Sequence, residues 1–377
     1  MASEPAFGEI SEKPDVEAKE DESKQEARFR LAVLGDFTGR ANRGVLLTGE
    51  ELADERPIKI SYETLDEVFE DLELKLRIPV AGGASYVELE FESLDDFHPD
   101  PIFKQVDVFE DLVALKKRVT SSFDEAAEGL AGWADEHGDR DASREASRAV
   151  TVPAVDALDE LTEREAAPTV EEDADELGPN ALMARVVGPR VAAIDEDDRN
   201  EETLAKAVGD ATADLMREIL HHPDVQALEA NWRGLALALR AASKGGHIDA
   251  VVYDTSAEEF AVDLGGSESL DDTALFARLV KKSAESADGD PWTAIVAGYT
   301  FDVTVPHAEL LGRVAKIASR LNAPFFAAMG GHLLVEGFKP ESDADEAWAA
   351  LRKLPEAQYL GLAVSGFLAR TPFGETS

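Results

Sequence analysis

Residues 215–235, LMREILHHPDVQALEANWRGL, decide the fold because two helical patterns meet in this stretch. Apolar residues recur at helical steps on both sides of the His221-His222-Pro223 corner, at Leu204, Val208, Ala211, Leu215 and Ile219 and then at Val225, Leu228, Trp232, Leu235 and Leu239. Pro223 suits the first turn of the second helix, and Asp224 complements its dipole. The sequence therefore predicts two helices that fold back on each other and bury Trp232 between them.

The charge balance excludes two classes of partner. The chain has 37 basic and 78 acidic side chains, a formal net charge of −41. Such a chain repels nucleic-acid phosphates and anionic lipid, so neither is expected to bind. Two interpretations of the acidity stay open. It can be a strongly charged solvated surface, as in a salt-adapted protein, or an acidic face that attracts a basic partner.

Cysteine is absent from the sequence. Disulfides, thiol nucleophiles and zinc–thiolate sites are therefore excluded. Residues 1–27 contain nine acidic and three basic residues with few apolar ones, which predicts a disordered acidic tail without a signal peptide. No apolar run is long enough to span a bilayer. We therefore expect a cytoplasmic protein without membrane insertion.

Residues 28–122 predict an α+β block. A buried strand at 29–34 runs into the turn that contains Gly35, Asp36 and Phe37. Residues 74–80 and 86–91 alternate apolar and polar side chains, which predicts an antiparallel hairpin followed by helices.

The composition of residues 123–176 predicts an acidic linker that begins with one short helix. Ten residues between 156 and 176 are acidic and only Arg164 is basic, so this part should extend by self-repulsion. We expect the blocks on either side of the linker to be separately compact.

Residues 177–377 predict an α/β block. Apolar strands at 248–253, 293–297, 324–329 and 359–364 alternate with helical patterns, which is typical of a mostly parallel sheet covered on both faces. The predicted fold class is an α+β N-terminal block followed by an α/β block with a helical hairpin and a mostly parallel sheet.

Candidate chemical sites are weak in this sequence. Adjacent His221 and His222 point to different faces at a helix junction, so a structural corner is favoured over a metal site. Asp95-Asp96 is better explained as a solvated pair than as an acid–base site. Arg233 is more consistent with a local contact than with ligand binding. No phosphate-binding glycine motif occurs. We therefore predict no catalytic, cofactor-binding or metal-binding residue.

The corner stretch also carries a resemblance to a known family. ILHHPDVQALEANWRGL resembles the signature segment of the large contractile-sheath subunit of type VI secretion. PWTAIVAGYTF and AQYLGLAVSGFLARTPFG resemble later segments of the same subunit, with Gly298-Tyr299 and Ser365-Gly366 as departures from the family pattern.

The N-terminal block is similar to the small subunit of the same sheath. The phrases that carry the similarity are LAVLGDFTGR, RPIKISYETLDEVFEDLELKLRIPV and FESLDDFHPDPIFKQVDVF, of which SLDDFHPD is the most diagnostic. Two residues depart from the family pattern, Ser61 and Asp107. The two resemblances together imply a fusion of the two halves of a sheath protomer, in a chain that should lack the usual C-terminal part of the large subunit.

The resemblance implies a structural subunit of a contractile injection sheath that assembles around an inner tube and is not an enzyme. Its implied partners are other sheath subunits, inner-tube or baseplate proteins and, as a further candidate, an AAA+ unfoldase. A non-polymerising accessory protein of the same machine is the alternative, and an α/β enzyme is a third, supported only by analogy of fold. The structural signature consists of Gly35, Asp36, Phe37, Ser93, Leu94, Asp95, Asp96, Phe97, Pro99, Asp100, His221, His222, Pro223, Leu228, Trp232, Arg233 and Gly234.

Overall fold

A six-stranded sheet organises the computed structural model, which describes residues 6–10, 29–83, 85–137, 178–243, 248–282, 291–330, 342–364, 366 and 368–371. The strands are β1 (Phe29–Gly35), β2 (Ile58–Ile60), β3 (Leu74–Val80), β4 (Ser85–Phe91), β5 (Ile248–Asp254), β6 (Ala294–Phe301), β7 (Phe325–Met329) and β8 (Leu360–Ala363). The large sheet has the order β2-β5-β1-β6-β7-β8, and β3 and β4 form a separate antiparallel hairpin.

Helices surround the large sheet. They are α1 (Gly49–Asp54), α2 (Leu65–Asp71), α3 (Pro99–Gln105), α4 (Asp107–Ser121), α5 (Phe123–His137), α6 (Pro179–Ala192), α7 (Glu201–Leu220), α8 (Pro223–Ser243), α9 (Ala257–Gly265), α10 (Ala274–Phe276), α11 (Val305–Leu321) and α12 (Ser342–Leu351). The predicted fold class is confirmed: an α+β block precedes an α/β block with a mostly parallel sheet.

Strand β1 is central in the sheet because it is apolar on both faces. Val33 packs into a core with the β3–β4 hairpin and the helices α2 to α8, whereas Ala32 and Leu34 pack into a second core with α9, α11 and α12. A parallel strand buried on both faces is expected to be a continuous apolar run, as β1 is. Its main chain pairs with β5 on one side and with β6 on the other.

The two blocks are not separately compact, contrary to the sequence-based expectation. β1 belongs to the N-terminal block, but both of its neighbours belong to the α/β block. The first core likewise joins residues of β3 and β4 with residues of α7 and α8. The local apolar patterns of the two blocks are compatible with separate cores. In the structure, however, residues of the α/β block flank β1, and residues of the N-terminal block cover Trp232.

The helices α7 and α8 meet at the predicted corner but pack mainly against other elements. The main neighbours of α7 are α4 and α6, and those of α8 are β5 and the turn Leu94–Phe97. The expectation that the two apolar stripes bury each other is therefore wrong. Elements of both blocks bury the stripes instead: α4 and the turn Leu94–Phe97 from the N-terminal block, and α6 and β5 from the α/β block.

Three further segments complete the comparison with the predictions. The helical stretch between α9 and β6 is divided into a 3-10 turn (Leu270–Asp272), α10 and a π-helix (Ala277–Lys281). The helix predicted at the start of the linker is α5, at residues 123–137, and it packs against α6. Within the predicted disordered tail, residues 6–10 pack against the second core. The rest of the tail and residues 138–177 lie outside the described residues.

Candidate functional site: the junction between the two blocks

The turn that follows β1 is the point where the N-terminal block meets the α/β block. Gly39 donates its backbone N–H to Asp36 Oδ1 at 2.7 Å, which closes the turn. Gly39 has φ +71°, and a β-carbon there would lie 2.6 Å from the Leu76 side chain and 2.7 Å from the carbonyl oxygen of Lys75. Only glycine fits this conformation and this space. The turn is therefore held tightly against β3.

Trp232 of α8 binds this turn directly. Its indole Nε1 donates to the carbonyl oxygen of Phe37 at 2.9 Å, and its ring meets the Phe37 ring edge-on with centroids 5.2 Å apart. The Phe69 ring lies 4.5 Å away on α2. The preceding residue, Asn231, donates its Nδ2 to the carbonyl oxygen of Asp36 at 3.1 Å. Two neighbouring side chains of α8 thus recognise the main chain of the turn.

Asp254, the last residue of β5, holds the same turn from the other side. Its Oδ1 accepts the Phe37 N–H at 2.6 Å, and its Oδ2 accepts the Thr38 hydroxyl at 2.8 Å. The same carboxylate forms an ion pair with Arg40. Because parallel strands end at the same edge of a sheet, the ends of β1 and β5 bring this carboxylate to the turn.

Glu259 on α9 completes the charge balance of the junction. It accepts from Arg40 Nε at 2.8 Å and from Arg40 Nη2 at 2.7 Å, a bidentate pair. Glu259 also accepts the N–H of Leu47 at 2.8 Å and forms the capping box of α9 with Ser256. Arg40 is therefore neutralised by one acidic residue from β5 and one from α9.

The junction changes the acidity of several groups. Burial and the nearby charge of Asp254 raise the pKa of Asp36 to about 6. Burial alone would lower the pKa of Arg40, but its hydrogen bond to Glu259 and the charge of Asp254 raise it above the ordinary value. Burial raises the pKa of Tyr299, whose hydroxyl donates to the carbonyl oxygen of Thr255 at 2.7 Å. The charged and polar groups of the junction are engaged in internal contacts, which suits a structural role.

Residues 93–100, SLDDFHPD, form the part of the N-terminal block that lies next to the junction. Ser93 and Asp96 form a capping box around the turn Leu94–Phe97. Phe97 is fully buried and stacks on Phe91 with centroids 4.2 Å apart. Pro99 starts α3, and the N–H of Asp100 donates to His98 Nδ1 at 3.3 Å. Asp95 belongs to this turn.

Arg233 of α8 links this helix to the turn Leu94–Phe97. Its Nη2 donates to the carbonyl oxygen of Leu94 at 3.3 Å, and its Nε pairs with Glu229 at 2.6 Å. Glu229 also accepts hydrogen bonds from Arg370, from Nε to Oε1 at 2.5 Å and from Nη2 to Oε2 at 2.6 Å. The local role expected for Arg233 agrees with these contacts. Gly234, in contrast, faces open space and takes no part in the junction.

The His221-His222-Pro223 corner positions the start of α8. Pro223 is the first residue of α8, and buried His222 accepts the Asp224 N–H on Nδ1 at 3.3 Å. Burial lowers the pKa of His222. Asn42 donates to Asp224 Oδ2 at 2.6 Å, which links the corner to the N-terminal block. In the part of the chain that the structure describes, no group of three or more histidine or acidic residues could hold a metal ion.

The structure thus assembles many of the predicted signature residues around one junction. It joins Phe37 to Trp232, Asp36 to the neighbouring Asn231, and Leu94 to Arg233. Leu228 lies in the same first core. Sequence reasoning missed Arg40, Asn231, Asp254 and Glu259. Of these, only Asp254 had a usable signal, since an acidic residue directly after a buried parallel strand lies at the sheet edge where sites form.

Comparison with known proteins finds a family match in each block. Residues 10–127 match the VipA family of the type VI secretion system, and residues 202–377 match the VipB family, described as EvpB, tail sheath N-terminal domain. Two separate regions of the chain therefore match families of the type VI secretion system. The junction described above is therefore the contact between the VipA-matching and the VipB-matching residues.

A curated sheath protein is also similar to this chain. The type VI secretion system sheath protein TssC1 of Pseudomonas aeruginosa is 29% identical over 170 residues, which cover 41% of this chain. The aligned region is 34% of the relative, so the chain spans about a third of the length of the protein it matches.

Proposed function

We propose that this chain is a structural subunit of a type VI secretion sheath, in which one polypeptide supplies both the small and the large part of a protomer and assembles around an inner tube. The observation that carries the proposal is the position of β1. This strand belongs to the VipA-matching region, yet it pairs on both sides with strands of the VipB-matching region.

The inserted strand makes the two regions one mechanical unit. Removing β1 would expose the main chain of both β5 and β6 and would open both cores. A sheath that contracts transmits force through its subunits. A central strand is a suitable connection because it is hydrogen-bonded to a neighbouring strand on each side. Fusion in one chain also fixes the ratio of the two regions at one to one.

Partners follow from the proposal. Proteins of the sheath family interact with other sheath subunits, and we propose the same for this chain, with inner-tube or baseplate proteins as additional contacts and an AAA+ unfoldase as a candidate for recycling. The proposal includes a cytoplasmic location. Within the described ranges, no helix is long and apolar enough to cross a membrane.

Electron microscopy of the purified chain tests the proposal. The charge of −41 opposes self-association at low ionic strength, and the Debye length falls from about 30 Å at 0.01 M to about 3 Å at 1 M salt. We expect small species in dilute buffer and helical tubes at high salt or with sheath partners, measured by negative-stain images and light scattering. Absence of assembly with and without partners at every salt concentration would overturn the sheath role in favour of a non-polymerising accessory protein.

A further inference from the structure

Residues 6–10, AFGEI, lie in a groove between α11 and the segment 264–270. We call this the peptide groove. Phe7 is half-buried against the second core, where it lies directly over Gly312 of α11. A β-carbon at position 312 would overlap the Phe7 ring, and the three closest atoms to that position all belong to Phe7. Gly312 thus forms a notch that fits one aromatic ring.

One face of α11 binds the main chain of the segment. Glu309 accepts the N–H of Ala6 on Oε1 at 3.1 Å, and Arg313 Nε donates to the carbonyl oxygen of Ala6 at 3.0 Å. Lys316 donates to the carbonyl oxygen of Gly8. Residues 309, 313 and 316 share one helix face. These contacts bind main-chain atoms, so the identity of the ligand depends mainly on the aromatic residue and on the glycine that follows it.

The opposite wall binds the segment as a neighbouring strand would. The N–H of Glu9 donates to the carbonyl oxygen of Glu268 at 3.2 Å, and Leu270 N–H donates to the carbonyl oxygen of Glu9 at 2.9 Å. Together these form a parallel bridge between Glu9 and Ser269. Backbone pairing of this kind is a common way to bind short extended peptides.

The groove walls are held in place by contacts that do not involve the segment. Arg313 Nη1 donates to the carbonyl oxygens of Leu264 and Ser267, which ties the 264–270 wall to α11. Asp263 accepts the N–H groups of Ala274 and Leu275 at 2.7 and 2.8 Å, which fixes the end of the same wall. The groove should therefore persist when the segment leaves it.

We propose that the peptide groove is a binding site for a short extended peptide with an aromatic residue followed by glycine, and that residues 6–10 of the same chain occupy it as a separable ligand. Eighteen residues, 11–28, connect this ligand to β1. Its contacts tie the residues just ahead of the VipA-matching region to the VipB-matching region at a second place, on the face of the sheet opposite the Trp232 junction.

A labelled peptide of residues 1–12 tests the proposal against full-length variants by fluorescence anisotropy. Phe7→Ala empties the groove, so this variant should bind the peptide at least tenfold more tightly than the unmodified chain, whose groove is filled. Gly8→Val is a second way to empty it, because Gly8 has φ +63°. The matched control is the Phe7→Ala, Gly312→Ala double variant, in which the new methyl group fills the notch and should abolish binding.

Each other outcome overturns the proposal. A folded Phe7→Ala chain that does not bind the peptide shows that the groove is not a separable site. Equal binding by the unmodified chain shows that residues 6–10 do not occupy the groove. Concentration-dependent association that Phe7→Ala removes shows that the segment docks on a second copy, which contradicts assignment to the same chain.

Discussion

Trp232 is the residue on which the junction depends most. Its ring is fully buried between Phe37 and Phe69, and its indole N–H is bound by the carbonyl oxygen of Phe37. We expect Trp232→Ala to lower the free energy of unfolding by about 3–5 kcal/mol, because it leaves a large cavity. Trp232→Phe should lose about 1–3 kcal/mol by leaving the Phe37 carbonyl without its donor. Urea denaturation measures both.

The same helix offers a control for this prediction. Leu237 lies on the solvent-exposed face of α8. Leu237→Ala should change the free energy of unfolding by no more than about 0.5 kcal/mol. A loss below about 1 kcal/mol for Trp232→Ala would show that the indole does not hold the junction together.

Asp36 gives the junction a pH dependence. The pKa of this carboxyl is raised to about 6 by burial and by the charge of Asp254. The folded chain therefore binds more protons than the unfolded chain between about pH 4 and pH 6, and the contribution of Asp36 to stability decreases as pH rises through that window. Asp36→Asn removes this contribution but keeps an oxygen that can accept the Gly39 N–H.

We expect the stability difference between Asp36→Asn and the unmodified chain to shift in favour of the variant from pH 4 to pH 6 and to stay constant at higher pH. The total change should be at most about 3 kcal/mol. Urea midpoints at four pH values provide the measurement. Parallel pH curves for the two chains would contradict a raised Asp36 pKa.

At the scale of elements, the turn after β1 depends on one glycine. Gly39 and Gly44 both have positive φ, but a β-carbon at 39 would contact β3, whereas nothing lies within 4 Å at 44. Gly44→Ala should therefore cost only the backbone strain, about 1–2 kcal/mol. Gly39→Ala should cost about 1–3 kcal/mol more through overpacking. Equal losses in thermal or urea denaturation would show that the turn is not packed tightly on β3.

Most elements could be predicted because their signals are local. The alternation in 74–80 and 86–91 predicts the β3–β4 hairpin, and the apolar spacing around Trp232 predicts α7 and α8. The neighbours of β1 could not be predicted, because an apolar strand fits equally well beside any other apolar strand. For the same reason, the pairing of Asp254 with Arg40, 214 positions apart in the chain, has no sequence signature.

At the scale of the molecule, the shared sheet and the net charge of −41 act in opposite directions. The sheet and the first core bury apolar surface from both blocks, a gain that salt changes little. Repulsion between acidic surfaces is weakened by salt. The chain should therefore be held together by its interior at all salt concentrations, while contacts between chains depend on ionic strength.

Cleavage between the two blocks tests this view of the molecule. We consider a specific protease site placed between residues 156 and 176, the segment predicted to be an acidic linker. After cleavage, β1 remains between β5 and β6, and Trp232 remains against Phe37, so the two fragments should elute together in size-exclusion chromatography at both low and high salt. In the same cleaved chain, Trp232→Ala should let the fragments separate at a lower urea concentration, because it weakens the junction without touching the sheet. Fragments that separate in native buffer without denaturant would show that the blocks are independent domains, and the proposal of a single two-part protomer would then lose its structural basis.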